Sequence, residues 1–406
     1  MTGIAIALGF LCLATATTLL PVADRFGVWL PLHLAMTGAA STAIAGVMPF
    51  FSAAIATAQP VASWLRWASV LTVASGAAGL SIGFVSGART FAALAGLLFM
   101  AGLAMTAAAA LLPVSRALGP RGGVVTWGYA VALTYIGIGA LLATLLLLGV
   151  EAVTSAWAWL KPAHAWLNLV GFVSLVIATT LLHFFPTVIG ARIKRSPATY
   201  GTVVGLAAGA GLVAAGFAMR WDLLAQIGAV VSMLGAASLA IYAWAVWRTR
   251  ARWTGDAGWH AFAMGGLISA ISWFELSVLL AAGRVLLSGT DPANAGSDLL
   301  VAPFVAGWMG LAVLASATHL VPSIGPGGPH AHTAQRVLLG RGGLARLMAA
   351  DLGIAALVAG HPLGLERLSA LGLVSLGAAL LATTVLIGIA VFRGARDARR
   401  SGTLRA

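Results

Sequence analysis

The sequence contains little cysteine and little charge. Its single cysteine, Cys12, excludes an internal disulfide, and it excludes iron–sulfur clusters and thiolate zinc sites because these need several cysteines. Any metal must therefore be held by imidazole, carboxylate or backbone groups. Charged residues make up 8% of the 406 residues, against about a quarter in soluble domains, whereas hydrophobic residues make up 60%. This composition predicts a polytopic, all-α integral membrane protein.

Motifs of several enzyme classes are also missing. The chain has no Walker loop, no dinucleotide glycine fingerprint after a strand and no HExxH pair. The net charge of +13 does not indicate a nucleic-acid partner, since the basic residues lie in short loops between apolar segments. The first apolar run has no basic region before it, so we expect it to be the first helix and not a cleaved signal peptide.

Twelve apolar segments are candidates to cross a bilayer, which takes about 20 apolar residues in a helix. They lie at 4–21, 28–51, 63–86, 90–113, 124–150, 164–192, 198–218, 222–247, 259–283, 299–322, 346–362 and 368–392. Most basic residues follow even-numbered segments, including a basic tail at 393–406. The opposite loops hold one basic residue each, namely Arg25, Arg89, Lys161, Arg220, Arg284 and Arg367. The positive-inside rule therefore predicts a plasma (inner) membrane protein with both termini in the cytoplasm.

Three of the segments share a glycine early in the span and a proline near its end. They contain HLAMTGAASTAIAGVMPFF, HAWLNLVGFVSLVIATTLLHFFP and GWMGLAVLASATHLVP. When the prolines are aligned, Gly46, His183 and His319 occupy the same position. These are the second, sixth and tenth segments, and they run in the same direction. The pattern predicts three pseudo-repeats of four helices in one transmembrane domain (1–406), with sub-repeats at about 1–120, 121–255 and 256–400.

Functional sites of repeat-built membrane proteins commonly lie where the repeats meet. We therefore expect the three helices with the shared glycine and proline, called the echoing helices below, to line the centre of the protein. Each contains a proline, Pro49, Pro186 or Pro322, which removes a backbone hydrogen bond. In the second and third repeats this frees a carbonyl close to His183 and His319, and a kink there could turn the imidazole inward. A simple helix end would explain the prolines equally well.

Histidines are the main candidate site residues. Their positions predict an outer layer and an inner layer. The outer layer contains His33, His164 and His361, and the inner layer contains His183, His319 and His260. Ionisable groups in membrane helices usually face the protein interior and have a function. Because neutral imidazole binds haem iron and copper, both layers are candidate cofactor or metal sites.

The alternative is that a histidine at a helix end is an amphipathic anchor in the headgroup layer. This interpretation is favoured for four histidines at or beyond span boundaries: His260, His330, His332 and His361. Function is favoured for the four in the echoing spans: His33, His164, His183 and His319.

Two carboxylic acids lie within or close to apolar segments. Glu275 is well inside ISAISWFELSVLL, which suits a proton relay or a hydrogen bond to a ligating histidine. It could instead be neutral or paired with Arg284. Asp351 lies near the inner edge of its segment, and we expect it to pair with Arg346 or to cap its helix.

The echoing stretches carry a family resemblance. Twelve helices in three repeats, with histidines on helices 2 and 6, resemble subunit I of haem–copper oxidases and nitric oxide reductases, and the NnrS-type haem- and copper-containing membrane proteins. The stretches are similar to membrane segments of actinobacterial proteins that occur alone or joined to copper oxidase or copper nitrite reductase domains. The resemblance implies that His33 is a low-spin haem ligand and that His164 lies near a copper-ligand position.

The chain departs from that pattern in two places. Helix 7 lacks the adjacent histidine pair, and helix 10 has His319 far from its outer end instead of an HxH motif. An intact oxygen-reducing centre is therefore not expected. The resemblance still implies haem, and copper as a further option, in a redox protein that transfers electrons between quinol and an extracytoplasmic copper enzyme or responds to nitric oxide.

Two other functions remain open. The protein could be a transporter or channel for a small solute, a metal or protons, with histidines and Glu275 lining the path. It could also be a structural partner in which the histidines have no role. The sequence predicts lipid contact in every case.

Overall fold

The computed structural model describes residues 2–117, 123–193, 195–252, 261–294 and 298–400. These residues form helices joined by short loops, with no β-strand among them. Eleven helices in these ranges are long and apolar enough to cross a membrane, and a shorter apolar helix precedes them. The protein is an all-α integral membrane protein, as its composition predicts.

The first helix, α1, spans Thr2–Thr17. The membrane-spanning helices that follow are α2 (Trp29–Ile55), α3 (Ser63–Val85), α4 (Arg89–Ser115), α5 (Val124–Leu147), α6 (Trp157–Val188), α7 (Pro197–Met219), α8 (Asp222–Trp247), α9 (Ala261–Ser288), α10 (Ala302–Ile324), α12 (Gly343–Gly360) and α13 (Glu366–Arg400). Helix α11 (Pro329–Gly340) lies between α10 and α12.

The three largest differences between the structure and the predicted segments are as follows. Helix α6 begins at Trp157, seven residues before the predicted start at 164, and therefore includes Lys161 and Pro162. The loop after α10 contains α11, which begins with Pro329 at a position where a missing backbone N–H costs nothing. The basic tail predicted from residue 393 continues α13 as far as Arg400; residues 401–406 lie outside the described ranges.

The three echoing helices share an unusual backbone. Each contains a π-helical segment: Leu34–Ala40 in α2, Leu167–Ser174 in α6 and Ala302–Gly310 in α10. The backbone hydrogen bonds of a π-helix join residues five positions apart, against four in an α-helix, so its turns are wider. Such segments are frequent at functional sites. In α2 the widened turn is closed by Ser41, whose hydroxyl donates to the Met36 carbonyl five residues earlier at 3.1 Å.

Each π segment also has a glycine against which an aromatic ring packs. The ring of Phe10 in α1 packs on Gly38, Tyr135 in α5 on Gly171, and Trp273 in α9 on Gly307. The rings come from helices 1, 5 and 9, and the glycines from helices 2, 6 and 10. This correspondence is what three repeats of four helices would produce, although the boundaries of the repeats stay a prediction.

Burial distinguishes two of these three helices, α6 and α10. About 72% of the apolar window of α6 and 61% of that of α10 are buried, against 28% for α5 and α13. Glycine allows the helices to pack closely, as in the α3–α4 pair, where a Cβ at Gly76 would lie 2.5 Å from the Phe99 nitrogen.

The described residues form two compact units. The first comprises those within Met1–Thr180, Ser196–Leu239 and Val278–Gly296, and the second those within Leu181–Arg195, Ala240–Ser277 and Ser297–Ala406. Helix α1 belongs to the first unit and packs against α2, with Gly3 and Gly46 in backbone contact. Although it is short, α1 is therefore an integral part of this unit.

Candidate functional site

His33 and His164 both lie in the first unit. Both are partly buried. Two of the three histidines of the predicted outer layer therefore belong to the same compact unit. His361 belongs to the second unit, where it is the exposed C-terminal cap of α12. Its grouping with the other two stays a prediction.

A hydrogen bond and a stacked ring fix the orientation of the His33 imidazole. Its Nδ1 lies 2.9 Å from the Trp29 carbonyl oxygen, one turn earlier in α2, so Nδ1 carries the proton that this acceptor requires. Trp29 also stacks on the imidazole, with ring centroids 4.1 Å apart, and on Phe84 at 3.7 Å. Nε2 keeps its lone pair and has no hydrogen-bond partner among the described residues. A backbone acceptor on one ring nitrogen and a lone pair on the other is the arrangement of metal-ligating histidines.

His164 has the same tautomer, but its second nitrogen is occupied. Nδ1 lies 3.0 Å from the Gly139 carbonyl of α5, so Nδ1 again carries the proton. Nε2 accepts a hydrogen bond of 3.0 Å from Nδ2 of Asn168, which lies in the π segment of α6. Oδ1 of Asn168 is buried and has no hydrogen-bond partner. His164 could bind a metal through Nε2 only if Asn168 turned away.

Gly139 makes the His164–Asn168 contact possible. It accepts the hydrogen bond from His164, and a Cβ at this position would overlap the Asn168 amide. Sequence reasoning did not identify Gly139 or Asn168. The spacing HxxxN, which places the two side chains one turn apart on a helix, was the only local signal for Asn168.

His183 and His319 lie in the second unit. The ring of Phe184, the neighbour of His183, packs edge-on against His319 with centroids 5.7 Å apart. Nδ1 of His183 is buried without a hydrogen-bond partner. The structure therefore places α6 and α10 in contact at this predicted inner layer. The third predicted member, His260, lies outside the described residues.

Pro186 frees a carbonyl beside His183, as the sequence predicts. Proline has no N–H, so the Leu182 carbonyl four residues earlier has no helical donor. The Tyr242 hydroxyl of α8 donates to this carbonyl at 2.5 Å. The backbone group released by the proline is thus satisfied by a side chain from a neighbouring helix, which is how membrane helices tolerate proline.

The two acids differ in their surroundings. Oε1 of Glu275 is buried in α9 without a hydrogen-bond partner. The sequence interpretation of Asp351 as a helix cap or a partner of Arg346 is wrong. Asp351 lies in the middle of α12, and its Oδ1 accepts hydrogen bonds from the Ser269 hydroxyl and from Nε1 of Trp273, the latter at 2.9 Å.

Arg346 has other partners. Its guanidinium donates to the Thr383 hydroxyl at 2.9 Å and to the Leu339 carbonyl at 2.6 Å. These hydrogen bonds fix the side chain between α11 and α13 within the second unit, so it helps to hold these two helices together. Sequence reasoning could not foresee these contacts, because they depend on which helices become neighbours.

Within the described ranges, no three His, Cys, Asp or Glu side chains converge in a way that could hold a metal ion. Of the two histidines of α11, His330 is exposed, and His332 has Nε2 3.1 Å from the Gly325 carbonyl. These observations leave the His33–His164 pair as the best-formed candidate site.

The chain was compared with known proteins. No protein-family model matches it, and no curated protein is significantly similar to it.

Proposed function

We propose that the protein is an integral membrane haem protein that transfers electrons, with His33 as an axial ligand and His164 as the second candidate ligand. The observation that carries this proposal is the tautomer shared by two histidines of the first unit. Both imidazoles direct Nδ1 at a backbone carbonyl, so both keep the lone pair on Nε2. Imidazole in this form is what haem iron binds.

The residues fit haem better than copper. Haem is held by one or two axial side chains, and its iron supplies one-electron chemistry. His33 offers Nε2 directly, whereas His164 would need Asn168 to turn away. Copper electron-transfer sites use about three strong protein ligands. No such group of ligands occurs in the described ranges, so we propose haem as the cofactor and not copper.

The partners follow from the proposed role and from the family resemblance. A membrane electron carrier of this kind would accept electrons from quinol and pass them to an extracytoplasmic copper enzyme. The loop charges support an orientation with both termini in the cytoplasm of a plasma membrane.

The test is the haem content of purified variants. His33→Ala and His164→Ala are compared with His330→Ala, which removes an exposed imidazole on α11. Haem is measured by pyridine haemochrome and iron by mass spectrometry. We expect His33→Ala to lose most of the haem, His164→Ala to lose it or shift the spectrum to a changed ligation, and His330→Ala to match the wild type. Full haem content in His33→Ala would refute the assignment.

A second candidate function is proton or cation transport. It is favoured by Glu275, whose Oε1 is buried without a partner, and by Asp351 in the middle of α12. Carboxyl groups within membrane-spanning helices are energetically costly, and they usually mark ion paths. Protein that contains neither haem nor iron, but carries ion flux in liposomes that Glu275→Gln abolishes, would favour transport over electron transfer.

A further inference from the structure

Helix α13 is longer than a membrane requires. Its 35 residues extend about 52 Å at 1.5 Å per residue, against about 30 Å for the hydrocarbon core. Four arginines lie within its last eight residues: Arg393, Arg396, Arg399 and Arg400. One end of α13 is therefore strongly basic and reaches beyond the apolar part of the helix.

One face of α13 is apolar along most of its length and basic at its end. Residues separated by three, four or seven positions share a helix face. The exposed residues with this spacing are Val374, Leu381, Val385, Phe392, Arg396 and Arg399. The apolar members are well exposed, at 64% for Leu381 and 69% for Phe392. We call these six residues the α13 stripe.

The opposite face of α13 is buried. Thr383, Ile387, Ala390 and Gly394 point away from the stripe and are covered by protein. Gln335 of α11 donates to the Ala390 carbonyl at 3.1 Å. Since α11 packs on this side, the exposed stripe lies on the face of α13 that is turned away from α11.

The basic end of the stripe borders an open depression on the protein surface. Its lining residues all belong to the end of α13: Phe392, Ala395, Arg396, Arg399 and Arg400. The acid nearest in sequence, Asp397, points to another side, where its Oδ2 lies 3.5 Å from the Gly328 nitrogen. The lining of this depression is therefore cationic, with one exposed aromatic ring at its edge.

We propose that the α13 stripe binds one anionic phospholipid. Leu381 and Phe392 are about 16 Å apart along the helix, which is close to the depth of one leaflet of the 30 Å core. Acyl chains would lie along Leu381, Val385 and Phe392. The phosphate would lie between Arg396 and Arg399, about one to two turns beyond Phe392, where guanidinium groups offer paired N–H donors. This inference is independent of the proposed haem.

The test is native mass spectrometry of the delipidated, detergent-purified full chain. It is titrated with phosphatidylglycerol and with phosphatidylcholine of the same acyl chains. Each arginine near an anionic headgroup contributes roughly a factor of five in affinity. We expect one phosphatidylglycerol to bind preferentially, and Arg396→Ala/Arg399→Ala to bind it about 30-fold more weakly. The control Arg341→Ala/Arg367→Ala removes two exposed arginines elsewhere and should bind like the wild type.

Three results would overturn the proposal. They are equal affinity for the two lipids, unchanged binding by the Arg396→Ala/Arg399→Ala variant, and an equal loss in the control variant. Competition with millimolar inorganic phosphate separates a lipid site from a phosphate site. Full displacement by phosphate alone would also contradict the lipid assignment. Gel filtration confirms that each variant is folded before it is titrated.

Discussion

The hydrogen bond from Tyr242 to the Leu182 carbonyl gives the most specific prediction for stability. Because Pro186 supplies no N–H, this hydroxyl is the donor that the carbonyl depends on. Tyr242→Phe keeps the ring and removes only the hydroxyl. An unsatisfied buried carbonyl costs about 1–3 kcal/mol, and membrane hydrogen bonds lie at the low end of such values. We expect the free energy of unfolding to fall by ~1–2 kcal/mol, measured by equilibrium unfolding in mixed detergent and sodium dodecyl sulfate micelles.

Two further variants separate this effect from a general effect of the substitution. Tyr200→Phe changes an exposed tyrosine of α7 and should be neutral. Pro186→Ala returns a helical donor to the Leu182 carbonyl, so Tyr242→Phe should cost less than half as much in that background. If the loss were equally large with alanine at position 186, or if Tyr242→Phe were as stable as the wild type, the role assigned to this hydrogen bond would be wrong.

Two other predictions concern helix packing and the hydrogen bonds of Asp351, which is partly buried. Gly76→Ala should destabilise the α3–α4 pair by ~1–3 kcal/mol, since its Cβ would lie 2.5 Å from the Phe99 nitrogen, whereas Gly137→Ala, with no atom within 4 Å, should be neutral or slightly stabilising. Equal changes in thermal stability for Gly76→Ala and Gly137→Ala would contradict this prediction. Asp351→Ala should cost ~1–3 kcal/mol because it leaves the Trp273 N–H without its acceptor, and Asp351→Asn, which keeps a carbonyl oxygen, should cost less. The free energy of unfolding of both Asp351 variants is measured by tryptophan fluorescence. If both variants lost the same stability, the role assigned to the hydrogen bond would be contradicted.

Much of the fold could be predicted from the sequence. Apolar run length alone determines which segments can span a membrane, so the ends of α3, α7 and α8 lie within a residue of the prediction. Helix α11 was missed because a short amphipathic helix has too few apolar residues to stand out from a loop. The π segments were not predicted either, because a widened turn has no compositional signature. Only the shared glycine and proline marked those helices as special.

The candidate site was predictable only in part. His33 and His164 could be selected because imidazole is rare in membrane helices. The partner of each ring nitrogen depends on tertiary contacts, however, so Asn168 and Gly139 could not be assigned from sequence. For Asp351 the sequence-based interpretation was wrong. Because this residue lies close to the predicted edge of its segment, the sequence favours a helix cap or a pair with Arg346. In the structure it lies in the middle of its helix and accepts two hydrogen bonds from α9.

The most direct test of the haem proposal is a dithionite-reduced minus oxidised visible spectrum of the detergent-purified wild-type protein, with iron determined on the same sample. The account predicts a Soret shift with α and β bands and about one iron per chain or more. It also predicts that the same spectrum of His33→Ala, purified in parallel, lacks these bands. A featureless wild-type spectrum with no bound iron, from protein expressed under haem-replete conditions, would contradict the account.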